Sequence, residues 1–428
     1  MVEASLTEQT SHLVIQLVAI LVAAKLGAEL AVRWAKQPAV IGELVAGMLV
    51  GPFALGGLTV PFYGQPLFPM PVGEAGGFPV SASLFGFTQV GAAVLLFVAG
   101  LETDLHQFAR YGAQAALVAA GGVLVPFVLV AGAMVLLGMA PTLMSPAALF
   151  MGAVVTATSV GITARVLTDL GAVRSPEGTV ILGAAVVDDV LGILVLAIVI
   201  SIAGSGSVAL LDVSFAAVKA LGFWVAMVVV SAVLGEWLSH KLLWFQSDGA
   251  TVGLGLALAL FAGFVAEQAG LAFIIGAYSV GLGLSRTDAA KHLKHSLEPV
   301  AHVMVPPFFV VMGMLVDFHA VAGVLGAGLL FAALAAIGKI VGCGLPALAT
   351  GFGRRGATRI GFGMLPRGEV ALIVAGTGLT SGLIDSQLFG VAVLVTVLTT
   401  LPAPMLLMRL FADDAPPAAP LPDPAPAG

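Results

Sequence analysis

The stretch Ile181-Leu-Gly-Ala-Ala-Val-Val-Asp188-Asp189-Val-Leu-Gly-Ile-Leu-Val-Leu-Ala-Ile-Val-Ile200 decides how this chain is read. As a helix it would rise about 30 Å, the thickness of a bilayer's hydrocarbon core. A charged side chain at that depth costs about 2.5–3.5 kcal/mol on insertion scales, so two in succession call for a partner cation, bound protons or water. Adjacent aspartates in a soluble helix usually mark a solvated face, but these apolar flanks leave no room for one. The pair therefore reads as an ion or proton site. Neighbours on a helix point about 100° apart, so Asp188 and Asp189 cannot share one partner in the same way and should have different jobs.

The rest of the composition agrees. Of the 428 residues 59% are hydrophobic and 9% charged, with a mean hydropathy of +1.10, whereas soluble domains carry about 25% charged residues. The fold class expected is an all-α polytopic membrane protein. The single cysteine, Cys343, lies in an apolar stretch and excludes a disulfide framework or cysteine metal cluster within one chain. No cofactor is expected, and nothing points to nucleic acid. Residues 1–12 are polar and lead into a hydrophobic run, so no cleavable signal peptide is expected.

At about 20 residues per span, the apolar runs group into thirteen segments, near 12–32, 38–56, 82–102, 111–137, 145–166, 178–202, 211–235, 250–266, 270–285, 296–316, 321–349, 356–380 and 386–410. Lys and Arg fall in the odd-numbered connections, among them Arg33, Lys36, Arg165, Arg174, Arg286, Lys291 and Arg354. The positive-inside rule then puts the N-terminus outside and the C-terminus in the cytoplasm. The Gly/Pro-rich connection at 60–79 reads as an ordered external loop, and the Pro/Ala-rich tail at 412–428 as disordered.

Short matches suggest an inverted repeat. Ile41-Gly42-Glu-Leu-Val-Ala-Gly47 resembles Ile275-Gly276-Ala-Tyr-Ser-Val-Gly281, and Phe97-Val-Ala-Gly100-Leu-Glu-Thr-Asp104 resembles Val310-Val-Met-Gly313-Met-Leu-Val-Asp317. The copies lie seven segments apart and so cross the membrane in opposite directions, as in secondary transporters. Segments five and six should then be mirrored by twelve and thirteen, with irregular helices crossing near the site.

Segment five carries Thr156-Ala-Thr158-Ser159-Val-Gly161-Ile-Thr163, hydroxyls and glycine inside an apolar span. Segment twelve carries Pro366-Arg367-Gly368-Glu369, which cannot continue as an unbroken helix. Broken helices at this depth must be buried or line a cavity, and their ends offer oxygen ligands to a small cation. Lys339 has about ten apolar or small residues on each side, too deep to snorkel; its natural partner is one of the two aspartates. Arg367 and Glu369 either neutralise each other or complete a structural network. Lys25 reads as snorkelling and His302 as a packed polar residue. Glu102 belongs at headgroup level, and Glu43 is either a helix-end residue or the lining of a cytoplasmic funnel that attracts cations.

As a set, Val187-Asp188-Asp189 after a Thr-Ala-Thr-Ser segment, Gly338-Lys339, Pro366-Arg367-Gly368-Glu369 and Phe97-Val-Ala-Gly-Leu-Glu-Thr-Asp104 resemble the bacterial sodium/proton antiporters of the cation:proton antiporter superfamily. The resemblance implies that Asp189 carries the transported Na⁺ and protons while Asp188 pairs with Lys339, with Thr158 and Ser159 at the ion site and Thr156, Pro366, Arg367 and Glu369 supporting it. It implies a homodimer in the bacterial inner membrane, with roles in pH homeostasis. Scaffold and dimerisation helices are expected at 1–110, core helices at 111–202, a linker helix and scaffold at 203–318, and further core helices at 319–411. The double Asp further implies electrogenic exchange of two protons per Na⁺ or Li⁺. Glutathione-gated potassium exporters share much of the pattern but add a cytoplasmic nucleotide-binding domain, for which these residues leave no room.

Other classes fit less well. A channel needs a continuous pore and selectivity ring. An aspartyl enzyme dyad needs carboxylates on separate elements. A sodium-coupled symporter can share the inverted-repeat fold but is not expected to carry the Asp-Asp and Lys combination. K⁺/H⁺ antiport stays open, since hydroxyl and carbonyl ligands suit each alkali cation.

Overall fold

The structure, a computed structural model, describes residues 6–60, 64–69, 79–205, 210–245, 247, 249–321 and 323–411. Most of the external loop expected at 60–79, and the tail at 412–428, lie outside the described residues. From the N-terminus come α1 (Leu6–Leu30), which runs into a π turn at Ala31–Ala35, α2 (Ala39–Val50), α3 (Ala82–Glu102), α4 (Leu105–Leu136), the pair α5 (Pro146–Val154) and α6 (Val160–Asp169), and α7 (Pro176–Ser205). After α8 (Leu210–Trp244) follow α9 (Ala250–Gln268), α10 (Phe273–Leu284), α11 (Asp288–Met314) and the single turn α12 (Phe318–Val321). The chain closes with α13 (Leu325–Ala349), the pair α14 (Arg354–Gly363) and α15 (Glu369–Thr380), and the pair α16 (Ser386–Thr400) and α17 (Pro402–Phe411). Among the described residues extended backbone pairs only at one bridge, Thr59 to Pro66.

Among the described residues ten helical stretches are long and apolar enough to cross a membrane, with α2 counted on to Gly57 and α16 running on into α17. The fifth, ninth and twelfth apolar segments are shorter pieces: α5 with α6, the 12-residue α10, and α14 with α15. A 12-residue helix rises only about 18 Å, less than a hydrocarbon core, so α10 is short for a full span. The outer surface suits lipid: Val18, Val22 and Leu26 on α1, Leu124 and Val128 on α4, and Val225, Val229 and Val233 on α8 are each half or more exposed.

The repeat motifs meet crosswise. Gly47 of the first motif lies against the backbone of Val310, and Gly313 against the carbonyl of Leu44. At the equivalent places in the other half, Gly281 lies against the carbonyl of Phe97 and Gly100 against that of Tyr278. A side chain at any of the four would strike backbone, so glycine sets how closely α2 approaches α11 and α10 approaches α3, as small residues do between membrane helices. The paired aspartates also match. Asp104 accepts from the amides of His106 (2.8 Å) and Gln107 (3.2 Å) at the start of α4, and Asp317 from those of His319 (2.8 Å) and Ala320 (3.3 Å) at the start of α12. Between α4 and α13 the backbones close at Gly121 and Gly342.

Two intramembrane polar residues behave differently from the sequence expectation. Lys25 does not simply reach for the interface: its ammonium donates to the carbonyl of His302 at 2.6 Å. Pro306 has no N–H to give that carbonyl, so the lysine replaces the missing intrahelical bond. His302 itself is exposed, not packed.

Candidate ion-binding site

The site forms where two interrupted helices cross. In segment five the helix stops at Val154 and restarts at Val160 with Ser159 as N-cap, its side chain accepting from the amide of Ile162 at 3.5 Å. In segment twelve the chain leaves α14 at Gly363 and re-enters a helix at Glu369; Pro366 supplies no N–H, and Gly368 takes φ −142° and ψ −140°. The freed backbone groups satisfy one another across the crossing. The Ser159 amide donates to the Pro366 carbonyl at 2.8 Å, the Thr158 hydroxyl to the Met364 carbonyl at 3.2 Å, and the Thr163 hydroxyl to the Gly363 carbonyl at 2.9 Å. A Cβ on Gly368 would lie 2.9 Å from the Ser159 hydroxyl, which is why glycine stands there.

Two buried cations close the C-terminal end of α5, where the helix dipole is negative. Arg367 donates from Nη2 to the Val155 carbonyl at 2.6 Å. Lys339, from the middle of α13, donates to the Thr156 carbonyl at 2.5 Å and to Asp188 at 2.9 Å (Oδ1) and 3.1 Å (Oδ2). Lys339 and Asp188 are fully buried, so each would be costly without the other.

Asp189 is placed otherwise. It is 4% exposed, and its Oδ1 has no hydrogen-bond partner among the described residues. Asp188, Glu369 and Lys339 are near enough to act on it electrostatically. Glu369 opens α15, where a carboxylate is favoured by the helix dipole, and its Oε2 also lacks a partner. Arg367 and Glu369 therefore do not neutralise each other by direct contact. Arg367 spends its guanidinium on carbonyls, and its own backbone amide donates to the Thr400 hydroxyl at 2.9 Å, which in turn donates to the Arg367 carbonyl at 2.5 Å.

The nine residues that the sequence assigned to the ion site or its support lie at or beside the crossing. Thr158 and Ser159, expected as ion ligands, spend a donor and a cap on holding the two breaks together; their remaining oxygen lone pairs are what they have left for a cation. Thr156 contributes its carbonyl to Lys339, while its hydroxyl donates to Ala153 at 2.8 Å. Thr163, the last hydroxyl of the segment-five run, joins the crossing as well, whereas sequence reasoning missed Thr400 and the Val155 carbonyl. Thr400 had a signal: it lies in segment thirteen, the mirror of the Asp188 segment. Among the described residues no group of three or more His, Cys, Asp or Glu is placed to hold a resident metal.

Fully ionised, the cluster holds three carboxylates (Asp188, Asp189, Glu369) and two cations (Lys339, Arg367). It is one positive charge short of balance, and a single monovalent cation or proton completes it.

The sequence matches the family described as sodium/hydrogen exchanger, transmembrane, over residues 17–412. The chain belongs to that family. This exchanger is 35% identical over 397 residues to the probable Na⁺/H⁺ antiporter GerT of Bacillus cereus, spanning 92% of this chain and 98% of the relative. It is 34% identical over 401 residues to the Na⁺/H⁺-K⁺ antiporter GerN of the same organism, spanning 92% and 95% of the two chains. Among solved structures, that of the sodium proton antiporter MjNhaP1 from Methanocaldococcus jannaschii at pH 8 superposes with a TM-score of 0.66 at 15% identity, covering 94% of the exchanger and 98% of that chain. The last likeness establishes the fold. The exchanger is thus a multi-pass membrane transport protein of the cation:proton antiporter superfamily, and not an enzyme.

Proposed function

We propose that this exchanger moves cytoplasmic Na⁺ or Li⁺ outward against external H⁺ by alternating access, with Asp189 as the carrier of the cation and proton and Asp188–Lys339 as the switch beside it. The observation that carries this reading is the contrast within the aspartate pair: one carboxylate is held by a buried lysine, and its neighbour has an oxygen with no partner. When the site opens to the cytoplasm, Na⁺ displaces the proton on Asp189 and draws on Asp188, which loosens Lys339 and lets a second proton leave. When the cation departs on the other side, Asp189 and Lys339 each take up a proton and the Asp188–Lys339 pair reforms. The moving helices cross the apolar barrier cheaply only with a cation or a proton on Asp189, because an uncompensated carboxylate facing lipid-like surroundings is costly. Exchange is therefore obligatory, and two protons for one Na⁺ makes it electrogenic.

The remaining assignments follow the same reading. One buried cluster gathers side chains of α4, α5, α7, α13, α15 and α16, another those of α3, α8, α9, α10 and α11, and a third packs the two groups of helices against each other. That grouping supports a moving core at 111–202 and 319–411 against a scaffold at 1–110 and 203–318. A homodimer in a bacterial inner membrane, N-terminus outside and C-terminus cytoplasmic, completes the proposal, with pH homeostasis as its role.

A second reading, K⁺ as an alternative cargo, is favoured by the relative GerN, an Na⁺/H⁺-K⁺ antiporter. One assay separates the cases: dequenching of a pH dye in proteoliposomes as Na⁺, Li⁺ and K⁺ are added in turn, with and without an imposed membrane potential. Responses to Na⁺ and Li⁺ that depend on the potential are expected. A response to K⁺ alone, or none to any cation, overturns the first reading.

A further inference from the structure

Toward the Arg- and Lys-bearing face read as cytoplasmic, three connections meet around an open pocket of about 410 Å³. It is lined by Thr103 and Asp104 between α3 and α4, His106 on α4, Arg174 between α6 and α7, and Ser285 and Arg286 between α10 and α11. Its volume falls in the range of small-molecule sites, roughly 300–1,000 Å³.

The two arginines of this pocket are held in place but not neutralised. Arg174 donates from Nε to the Glu102 carbonyl at 2.9 Å, and Arg286 Nη1 stands 2.9 Å from His106 Nδ1. Neither guanidinium is in an ion pair among the described residues. The acids of this corner are engaged otherwise: Glu102 Oε1 stands 2.6 Å from Lys294 Nζ, and Asp104 Oδ1 accepts from the first amides of α4. Arg174 Nη1 and Nη2, and Arg286 Nε and Nη2, have no hydrogen-bond partner among the described residues. The Ser285 hydroxyl has none either. Two such forks on different elements suit an anion and repel the transported cations. A phosphate ester fits them well: it carries two or three strong acceptor oxygens arranged tetrahedrally, so each guanidinium can take its own.

We infer that this pocket is a binding site for a phosphate ester, held between the Arg174 and Arg286 guanidinium groups. The same chemistry reaches that face from two sources: the headgroup of an anionic lipid of the inner leaflet, or a soluble phosphate compound. The bound group bridges the connection between α6 and α7, the two helices that run from the ion site, to the corner where α10 gives way to α11. The site stands whichever cation is exchanged.

Thermal melting of the purified, delipidated full chain in a neutral detergent, at fixed Na⁺ and ionic strength, tests this. In one arm inorganic phosphate replaces chloride; in the other, phosphatidylglycerol replaces phosphatidylcholine in mixed micelles. A saturable rise in melting temperature is expected in at least one arm, since a ligand that binds the folded state stabilises it by mass action. Loss of one charged hydrogen-bonding partner should raise the half-saturating concentration about tenfold or more in Arg174→Gln and in Arg286→Gln. Arg286→Gln decides the matter where Arg174→Gln folds poorly. Lys291→Gln, which removes an exposed charge outside the pocket, should leave that concentration unchanged. A response to inorganic phosphate assigns the site to a soluble phosphate compound, and a response to phosphatidylglycerol alone assigns it to a lipid headgroup; either supports the inference. No saturable rise in either arm, a rise that survives in both arginine variants, or one weakened as much by Lys291→Gln overturns it.

Discussion

Lys339 holds Asp188 through both carboxylate oxygens, at 2.9 and 3.1 Å, although 151 residues separate them in sequence. The next residue, Asp189, keeps an oxygen with no partner. A rotation of about 100° along one helix is what separates them: Asp188 reaches the Lys339 ammonium of α13, and Asp189 makes no bond to it.

Removing the lysine should be costly for the fold as well as for transport. In Lys339→Ala, Asp188 is left buried and charged and the Thr156 carbonyl loses its donor, a loss of about 3–5 kcal/mol where a buried pair is broken. Thermal melting in detergent measures this: Lys339→Ala should melt well below the unmodified protein, and adding Asp188→Ala, which leaves no buried charge behind, should recover part of the loss. A single variant that melts with the unmodified protein would show that the pair contributes little to the fold.

Gly368 is expected to be intolerant of even one methyl group. Its Cβ would lie 2.9 Å from the Ser159 hydroxyl and 3.0 Å from the Ser159 Cβ, so Gly368→Ala must spread the two breaks or turn the Ser159 side chain out of its cap. Overpacking of this kind costs about 1–3 kcal/mol, tolerable for folding but not for a site built on the crossing. Transport should fall at least tenfold while the detergent-purified protein stays folded; unchanged transport would mean the crossing relaxes freely.

Competition between proton and cation sets the pH dependence. If one site takes either, the half-saturating Na⁺ concentration rises as pH falls, by at most about tenfold per pH unit for a single competing proton, by mass action. Maximal rates at saturating Na⁺ should be much less affected. Dye measurements at several pH values check this, and a half-saturating concentration independent of pH over three units would exclude shared binding.

How much of this was legible beforehand depended on whether a residue broke a local rule. Asp188, Asp189 and Lys339 stand out because each is a charge in an apolar run that lipid does not tolerate alone, so their meeting could be expected without knowing the packing. Pro366 and Gly368 announce a break by their own chemistry. The interruption at Val155–Ser159 was harder, since it contains neither proline nor glycine and exists because its backbone finds partners in the other break. Carbonyls leave no mark in a sequence, so the hold of Arg367 on Val155 and of Lys339 on Thr156 was invisible. Arg367 and Glu369, two apart, invited pairing, but the first lies in the break and the second starts a helix. For Lys25 the decisive residue is Pro306, far along the chain. Its missing N–H creates the acceptor.

The central claim is that Asp189 carries both cargoes, and Asp189→Asn tests it most directly. The amide keeps the shape of the side chain but holds neither a proton nor a compensating charge. Reconstituted into proteoliposomes in the same amount as the unmodified protein, the variant is expected to show no Na⁺-dependent proton movement at any pH. Exchange at more than a tenth of the unmodified rate, from protein shown to be folded, would contradict the account.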